Sequence, residues 1–432
     1  MHDHPPTEPL SVDERQLDVR FHRWVAAITA VGALWRLLRL LAKWNVPLHY
    51  GDAWYYSIQA INNAHGRWFK EAQGPITNWG VLPGAEHPPL TSVVLAPASL
   101  LSHPEFWQRA TMTLIGIAVV PLIALVGRRL GGRRAGVIAA ALAALYPNLW
   151  LSDALVMSET LVIASVVVVT WLALRHHDRF TLATALMLGA AIGVAGHARS
   201  EILLYAPLLA CVGLRSHPWR LWLGRAALVF GATALTVTPW FVFNSSRFDA
   251  PVLMSTNEGS TWQGANCSLT YHGPGVGGWN LLCLTEPAPD VNEDASQRSQ
   301  RRRDEAFTFM RANITRLPVV VAARALLGTD LWGWHETVRA DLGEERPRWA
   351  IWAGIVSWWL LAPLAAIGWW RLRRGSRYIV AVPAIGVAVV TLLFYGSHRL
   401  RAPLEPMVVL CAAVFLANLP IVRRLTGTAV RS

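Results

Sequence analysis

The chain has 432 residues, 53% hydrophobic and 15% charged, with a mean hydropathy of +0.33. Long apolar runs recur from one end to the other, which excludes a soluble globular protein and a soluble domain on a single anchor. The net charge of +12 would suggest nucleic acid in a soluble chain; here the arginines cluster between apolar runs and record topology, so no nucleic-acid partner is expected.

Residues 1–23 are polar and read as a cytoplasmic tail without a cleavable signal. The first span is expected over 24–41. Its far half carries Arg36, Arg39 and Lys43 at i, i+3 and i+7, on one face. With the N-terminus inside, these charges lie near the outer surface, against the positive-inside tendency. They either snorkel to headgroups or face an anionic, lipid-borne substrate.

Residues 44–109 form the first outer region. If Tyr50–Ala60 opens a helix, Asp52, Tyr55, Tyr56, Gln59 and Asn63 make one polar-aromatic stripe. Asp52 on such a stripe is a candidate general base or a device for orienting a hydroxyl. The plain reading is an N-cap, because Gly51-Asp52 precedes an aromatic run. A turn-rich stretch (73–84) and Glu86-His87-Pro88-Pro89 follow. Residues 90–101 are apolar but too short for a span, so a re-entrant or interfacial segment is expected.

Spans over 112–126 and 135–145 flank Arg128-Arg129-Leu130-Gly131-Gly132-Arg133-Arg134, the strongest cytoplasmic marker in the chain. Asp153 and Glu159 follow at the outer side. The next span ends at a cytoplasmic Arg175–Arg179 turn. Spans over 181–197 and 202–214 bracket an outer turn containing Arg199 and Glu201, and 226–243 leads outward again. Residues 244–348 hold no convincing full span; 317–334 reads as an interfacial helix. Spans over 349–370, 378–395 and 404–419 complete the chain, the last two joined by a turn with His398, Arg399 and Arg401. The expected fold is an all-α polytopic membrane protein with about ten spans, in a range of about nine to twelve, and both termini inside. Its parts are the tail (1–23), an N-terminal membrane module (24–243), a large outer loop (244–348) and a C-terminal helical part (349–432).

Cys211 and Cys411 lie in apolar runs; Cys267 and Cys283 share the large loop, where an extracytoplasmic location would allow a disulfide. There is no Walker loop, dinucleotide fingerprint, CxxC or HExxH, the glycine-rich turn near Gly275 has no phosphate-binding context, and His176-His177 lacks a ligand cluster. On this topology Asp52, Glu86, His87, Asp153, Glu159, Arg199, Glu201, Asn257, Glu258, His398, Arg399 and Arg401 all fall on the outer side. Carboxylates mixed with arginines suit one chemistry: a base for an acceptor hydroxyl and cations for a departing phosphate. Taken singly, each also has a plain role as helix-end complement, headgroup contact or turn former.

Several pieces together resemble the GT-C superfamily of glycosyltransferases that use polyprenyl-phosphate sugars, near the aminoarabinose transferases and protein O-mannosyltransferases. They are Arg36 and Arg39, Gly51-Asp52 with Tyr55-Tyr56, His87-Pro88-Pro89-Leu90, Arg128-Arg129-Leu130-Gly131, Ser158-Glu159, Gly196 to Glu201, Thr238-Pro239-Trp240, Ser255 to Gly259, and Arg399 to Pro406. The resemblance implies a GT-C fold in the inner (plasma) membrane, with an extracytoplasmic cavity. It would receive a polyprenyl-phosphate sugar and an envelope acceptor: glycolipid, polysaccharide or protein. By the same resemblance Asp52 is the acid-base residue, Arg199, Arg399 and Arg401 meet the donor phosphate, and Glu159 and Glu258 line the cavity. Many relatives have Asp-Glu where this chain has Asp52-Ala53; Glu86 is the candidate replacement. Inverting sugar transfer is expected. It requires no cofactor, since arginine can take a metal's charge role; a divalent metal is possible but not indicated. The competing readings are a transporter or flippase for a lipid-linked sugar, which inverted repeats would favour, and a noncatalytic scaffold.

Overall fold

A computed structural model describes residues 12–72, 82–284 and 293–420. The turn-rich 73–81 stretch, residues 1–11 and the terminal Arg423-Arg424 lie outside the described residues. Apart from one isolated bridge between Lys70 and Pro83, all regular structure among the described residues is helical.

The first half of the chain comprises α1 (Val12–Leu41), α2 (Asp52–Ala64), α3 (Leu90–Leu95), α4 (Pro104–Leu145), α5 (Pro147–Trp150), α6 (Glu159–Arg179), α7 (Leu182–Gly196), α8 (Tyr205–Ala210) and α9 (Trp219–Ser245). The second half comprises α10 (Glu258–Ala265), α11 (Ser268–Tyr271), α12 (Ala295–Ala312), α13 (Leu317–Gly328), α14 (Trp334–Gly343), α15 (Arg348–Trp370), α16 (Arg374–Leu393) and α17 (Glu405–Ala417). Six of these are long and apolar enough to cross a membrane, and four shorter apolar segments accompany them. The chain is a multi-pass membrane protein.

Two long apolar stretches separated by Gly131-Gly132 form one hairpin rather than one 42-residue rod. Gly132 takes φ 82°, a left-handed conformation that reverses the chain. The limbs then touch: a Cβ on Gly136 would lie 2.7 Å from the Ala124 carbonyl oxygen. The hairpin matches the two predicted spans 112–126 and 135–145. α7 and α9 pack as closely, with Gly189 against the Val229 backbone and Thr233 Oγ1 donating to the Gly189 carbonyl at 3.0 Å. Small residues at helix contacts are what lipid demands, because van der Waals packing replaces the hydrophobic drive there.

The arginine-rich turns meet at one end of the bundle. Asp18 of α1 pairs with Arg128 at 2.9 Å and Arg133 at 2.6 Å, and Arg129 pairs with Asp178 at the end of α6. The three segments predicted to share the cytoplasmic side are therefore in contact. Helix α1 begins at Val12, inside the expected tail, so this contact is made by helix and not by loose chain.

Residues 90–101 fold as α3 and a single 3-10 turn, and α13 has 12 residues. At 1.5 Å per residue α13 is about 18 Å long, against a hydrocarbon core of about 30 Å. Both are shorter than that thickness. Cys267 and Cys283 are joined as a disulfide, Cys411 is buried, and Cys211 is exposed on the bundle surface.

Candidate active site

Gly51, at φ 141°, turns the chain into α2 and leaves Asp52 as the first helical residue. Its carboxylate caps nothing. It points instead into a cluster at the end of the bundle opposite the arginine-rich turns. The predicted stripe exists: Tyr55, Tyr56, Gln59 and Asn63 are buried along one face of α2, below Asp52.

His87 stands beside that stripe. Its ring lies 5.0 Å from Tyr55 and 4.9 Å from Tyr56, and its Nε2 is 3.3 Å from Asp52 Oδ1. Arg399, on the 3-10 turn His398–Arg401, closes the other side and donates Nη2 to Asp52 Oδ2 at 2.5 Å. The same guanidinium donates Nη1 to Glu344 Oε1 at 2.9 Å and Nε to Glu159. One cation thus joins three carboxylates from three separate segments. Asp52 and Glu344 keep 29% and 27% of their side chains exposed, whereas Glu159 keeps 2%, so the first two form the accessible mouth.

Burial alone would raise the Asp52 pKa; Arg399 and His87 outweigh it and hold the carboxyl well below the usual range. Burial alone would lower the His87 pKa; Asp52 outweighs it and raises it. Asp52 is therefore held as a carboxylate, beside a His87 ring that keeps its proton more tightly than a free imidazole does. Glu344 is raised by burial, with Arg399 opposing and Asp52 adding to the rise. Glu86 is also raised, chiefly by burial. Arg199 pairs with Glu201 at 2.7 Å, and its buried Nη1 has no hydrogen-bond partner among the described residues.

A second, fully buried layer supports the first. Arg401 donates to Asp330 at 2.8 Å and Glu405 at 2.6 Å, and its guanidinium lies 3.8 Å over the Trp358 ring. His398 Nε2 is 3.0 Å from Asp341, which also takes Arg346 Nη1 at 2.8 Å. Against the loss of charge that burial favours, Asp341 and Asp330 push the His398 pKa up to about 9. Between the layers lies a cavity of about 20 Å³, bounded by Glu159, Arg346, His398 and Arg399.

The structure thus brings Asp52, Tyr55, Tyr56, Glu86, His87, Glu159, Arg199 and Arg399 to one place. It puts the other predicted substrate contacts elsewhere. Arg36 is buried against Asp153 at 2.7 Å and the carbonyls of Ala143 and Ala144; Arg39 donates to the Trp150 carbonyl at 2.8 Å and stacks on its ring. Arg36 holds α1 to the α4 hairpin, and Arg39 holds it to α5. Arg401 is held by Asp330 and Glu405, and His398 lies between the buried carboxylates of Asp341 and Asp330. Glu258 is half-exposed with Arg303 at 3.7 Å, and Asn257 precedes it at the start of α10, outside the contact network of Arg399. The residues missed from sequence are Asp330, Asp341, Glu344 and Arg346. Asp341 to Pro347 crowd charge directly before a span, but without the polar-aromatic stripe that marked Asp52.

Among the described residues no three His, Cys, Asp or Glu side chains are placed to hold a metal ion. Residues 86–243 match the family described as dolichyl-phosphate-mannose-protein mannosyltransferase. No curated protein matches the chain. Among solved structures, the Archaeoglobus fulgidus oligosaccharyltransferase crystallised with zinc and sulfate superposes with a TM-score of 0.55 at 15% identity, over 94% of this chain and 50% of that one. This chain has the GT-C fold. Archaeoglobus fulgidus AglB, solved with an inhibitory peptide and a dolichol-phosphate, gives 0.51 at 14% identity over 94% and 52%. ArnT from Cupriavidus metallidurans, bound to undecaprenyl phosphate, gives 0.45 at 19% identity over 94% and 79%. The chain spans about half the length of the archaeal GT-C structures it matches. Of the residues around Asp52, His87, Glu159 and Arg199 fall within the matched family region; Asp52, Glu344 and Arg399 lie outside it.

Proposed function

We propose that the chain transfers a sugar, with inversion, from a polyprenyl-phosphate donor to an envelope acceptor at the outer face of the plasma membrane. One observation carries the reading: a carboxylate and a guanidinium, Asp52 and Arg399, touch at a partly exposed mouth. A base for a hydroxyl stands directly beside a cation for a phosphate. The family match over residues 86–243 and the dolichol-phosphate held by AglB support a lipid-phosphate donor. The arginine-rich turns at the opposite end of the bundle support the outer face.

In this scheme the acceptor hydroxyl oxygen attacks the anomeric carbon from the face opposite the phosphate. The bond from that carbon to the phosphate oxygen breaks, and its electron pair leaves with the polyprenyl phosphate. Asp52 accepts the hydroxyl proton. Arg399, with the unpartnered Nη1 of Arg199, neutralises the departing phosphate. When Arg399 turns from Asp52 towards the phosphate, Asp52 loses a cation and becomes a stronger base, so leaving-group binding and proton acceptance are coupled. His87, held between Tyr55 and Tyr56, keeps Asp52 oriented. The arginines supply the charge a metal would otherwise provide.

The test is transfer in membranes supplied with a panel of radiolabelled polyprenyl-phosphate sugars, comparing wild type with Asp52→Asn at matched expression. Label should reach an acceptor with the wild type and not with the variant. Equal transfer by both removes Asp52 from the mechanism. Movement of labelled lipid between leaflets with no transfer would replace the reading by a flippase.

A further inference from the structure

Helix α12 is capped at its start by Asp294, whose carboxylate accepts from Ser296 N and Gln297 N, both at 2.8 Å. Four arginines crowd its first half, and they are not equivalent. Arg301 pairs with Glu293 and Glu305, and Arg303 with Glu258. Arg298 and Arg302, at i and i+4 on one face, have no carboxylate within 4.0 Å among the described residues. Among the described residues Arg302 donates only to Ser260 Oγ, at 2.7 Å, and the Nε of Arg298 is buried without a partner.

This face is fixed next to the catalytic loop. Gly259 N donates to Ser299 Oγ at 2.9 Å, which holds α10 on α12. One step back, Thr256 N donates to the Ala85 carbonyl at 2.7 Å, which holds the start of α10 against Ala85-Glu86-His87. Both arginines act electrostatically on Glu86, the neighbour of His87. Two half-buried like charges one helical turn apart repel, and a buried donor without an acceptor is costly. Both costs disappear when an anion sits between them.

We propose that Arg298 and Arg302 form an anion site on the acceptor side of the centre, so the acceptor carries a phosphate group near the hydroxyl that receives the sugar. Two guanidinium groups match the charge and the fork geometry of a phosphate monoester. The assignment of this site to the acceptor rests on the transferase reading above; the anion site itself does not.

The test is binding to the purified full chain in detergent, with undecaprenyl phosphate at saturation to occupy the donor side. The probes are octyl mannoside, octyl mannoside 6-phosphate and octyl glucuronide. Wild type should bind the phosphorylated probe at least about tenfold tighter than the uncharged one, the scale of one charge-assisted contact. Arg298→Gln with Arg302→Gln should abolish that preference. The paired control Arg301→Gln with Arg303→Gln, which removes the same charge from the same helix, should keep it. Arg298→Lys with Arg302→Lys should retain part of it, which covers failure of the glutamine pair to fold. Absence of preference in the wild type, its survival in the Arg298/Arg302 glutamine variant, or equal binding of the glucuronide would each overturn the proposal. Failure of the transferase reading is seen separately, as absence of label transfer by the wild type while the binding preference persists.

Discussion

Arg399 and Asp52 stand 347 residues apart in the chain and 2.5 Å apart in space. The contact closes the 3-10 turn that precedes α17 onto the start of α2, with Glu159 and Glu344 completing the ring. Removing the guanidinium leaves three carboxylates facing one another. Arg399→Gln is therefore expected to lower transfer by at least about a hundredfold, the scale seen when a charge stabilising the leaving group is lost. Arg399→Lys should recover only a fraction, because an ammonium cannot serve three carboxylates and then a phosphate. Initial rates at matched expression check this, and a double cycle with Asp52→Asn should be clearly non-additive. Additive losses would mean the two groups act independently.

Glu344 makes a separable case. It is the accessible carboxylate on Arg399 other than Asp52, and it follows α14 directly, with Glu345 beside it anchored to Lys43 at 2.7 Å and Arg109 at 3.0 Å. A donor phosphate reaching Arg399 must displace one of its carboxylates, and Glu159 is too deeply buried to leave. Glu344→Gln should therefore tighten undecaprenyl phosphate binding about twofold to fivefold, the size of one surface-accessible ion pair. Titration of the purified protein in detergent measures it. Weaker binding would show that Glu344 holds Arg399 in its working position instead of competing with the donor.

Much of this organisation was legible in the residues because a membrane penalises charge so steeply. Arginine-rich turns at 128–134 and 175–179 had to share one side, and Asp18 and Asp178 hold them together there. The stripe from Asp52 to Asn63 was legible because helical period alone aligns it. The buried arginines were not. Arg36 reads the same whether it meets a phosphate or Asp153, a carboxylate 117 residues away. Arg401 is likewise satisfied by Asp330, 71 residues distant. Local pattern carries no information about such pairings, so a bolt and a binding group look alike. Glu344 escaped notice because the stretch around it shows no apolar period to anchor a reading.

Arg36 gives the sharpest test of that distinction. It is a buried cation in α1 whose carboxylate partner, Asp153, also accepts from Thr160 at 2.9 Å. Arg36→Met strands Asp153 and should cost about 3–5 kcal/mol of stability. The double variant with Asp153→Leu removes both charges and should recover most of that loss. Thermal unfolding in detergent reads both. Were the single variant fully stable but unable to bind undecaprenyl phosphate, Arg36 would belong to the donor site after all.

His398 predicts the alkaline limit of stability. Asp341 and Asp330 raise its pKa to about 9 against the effect of burial, from about 6.5 in an unfolded chain. A raised pKa means the folded state holds the proton more tightly. The stabilisation is therefore complete below about pH 6.5 and is lost progressively as pH rises through about 9. Its full size is on the order of 3 kcal/mol. Asp52 and Asp341 have the opposite sign: their lowered pKa values stabilise the fold above about pH 4 and fail only as pH falls below it. The melting temperature of the purified protein should thus hold level from about pH 5 to 6.5 and then decline towards pH 9.5. His398→Gln should start lower and lose most of that alkaline slope, because a neutral amide keeps a hydrogen bond to Asp341 at every pH. An undiminished slope in the variant would assign the alkaline transition to His87, whose proton Asp52 holds in the same sense. The His87→Gln variant would then flatten it.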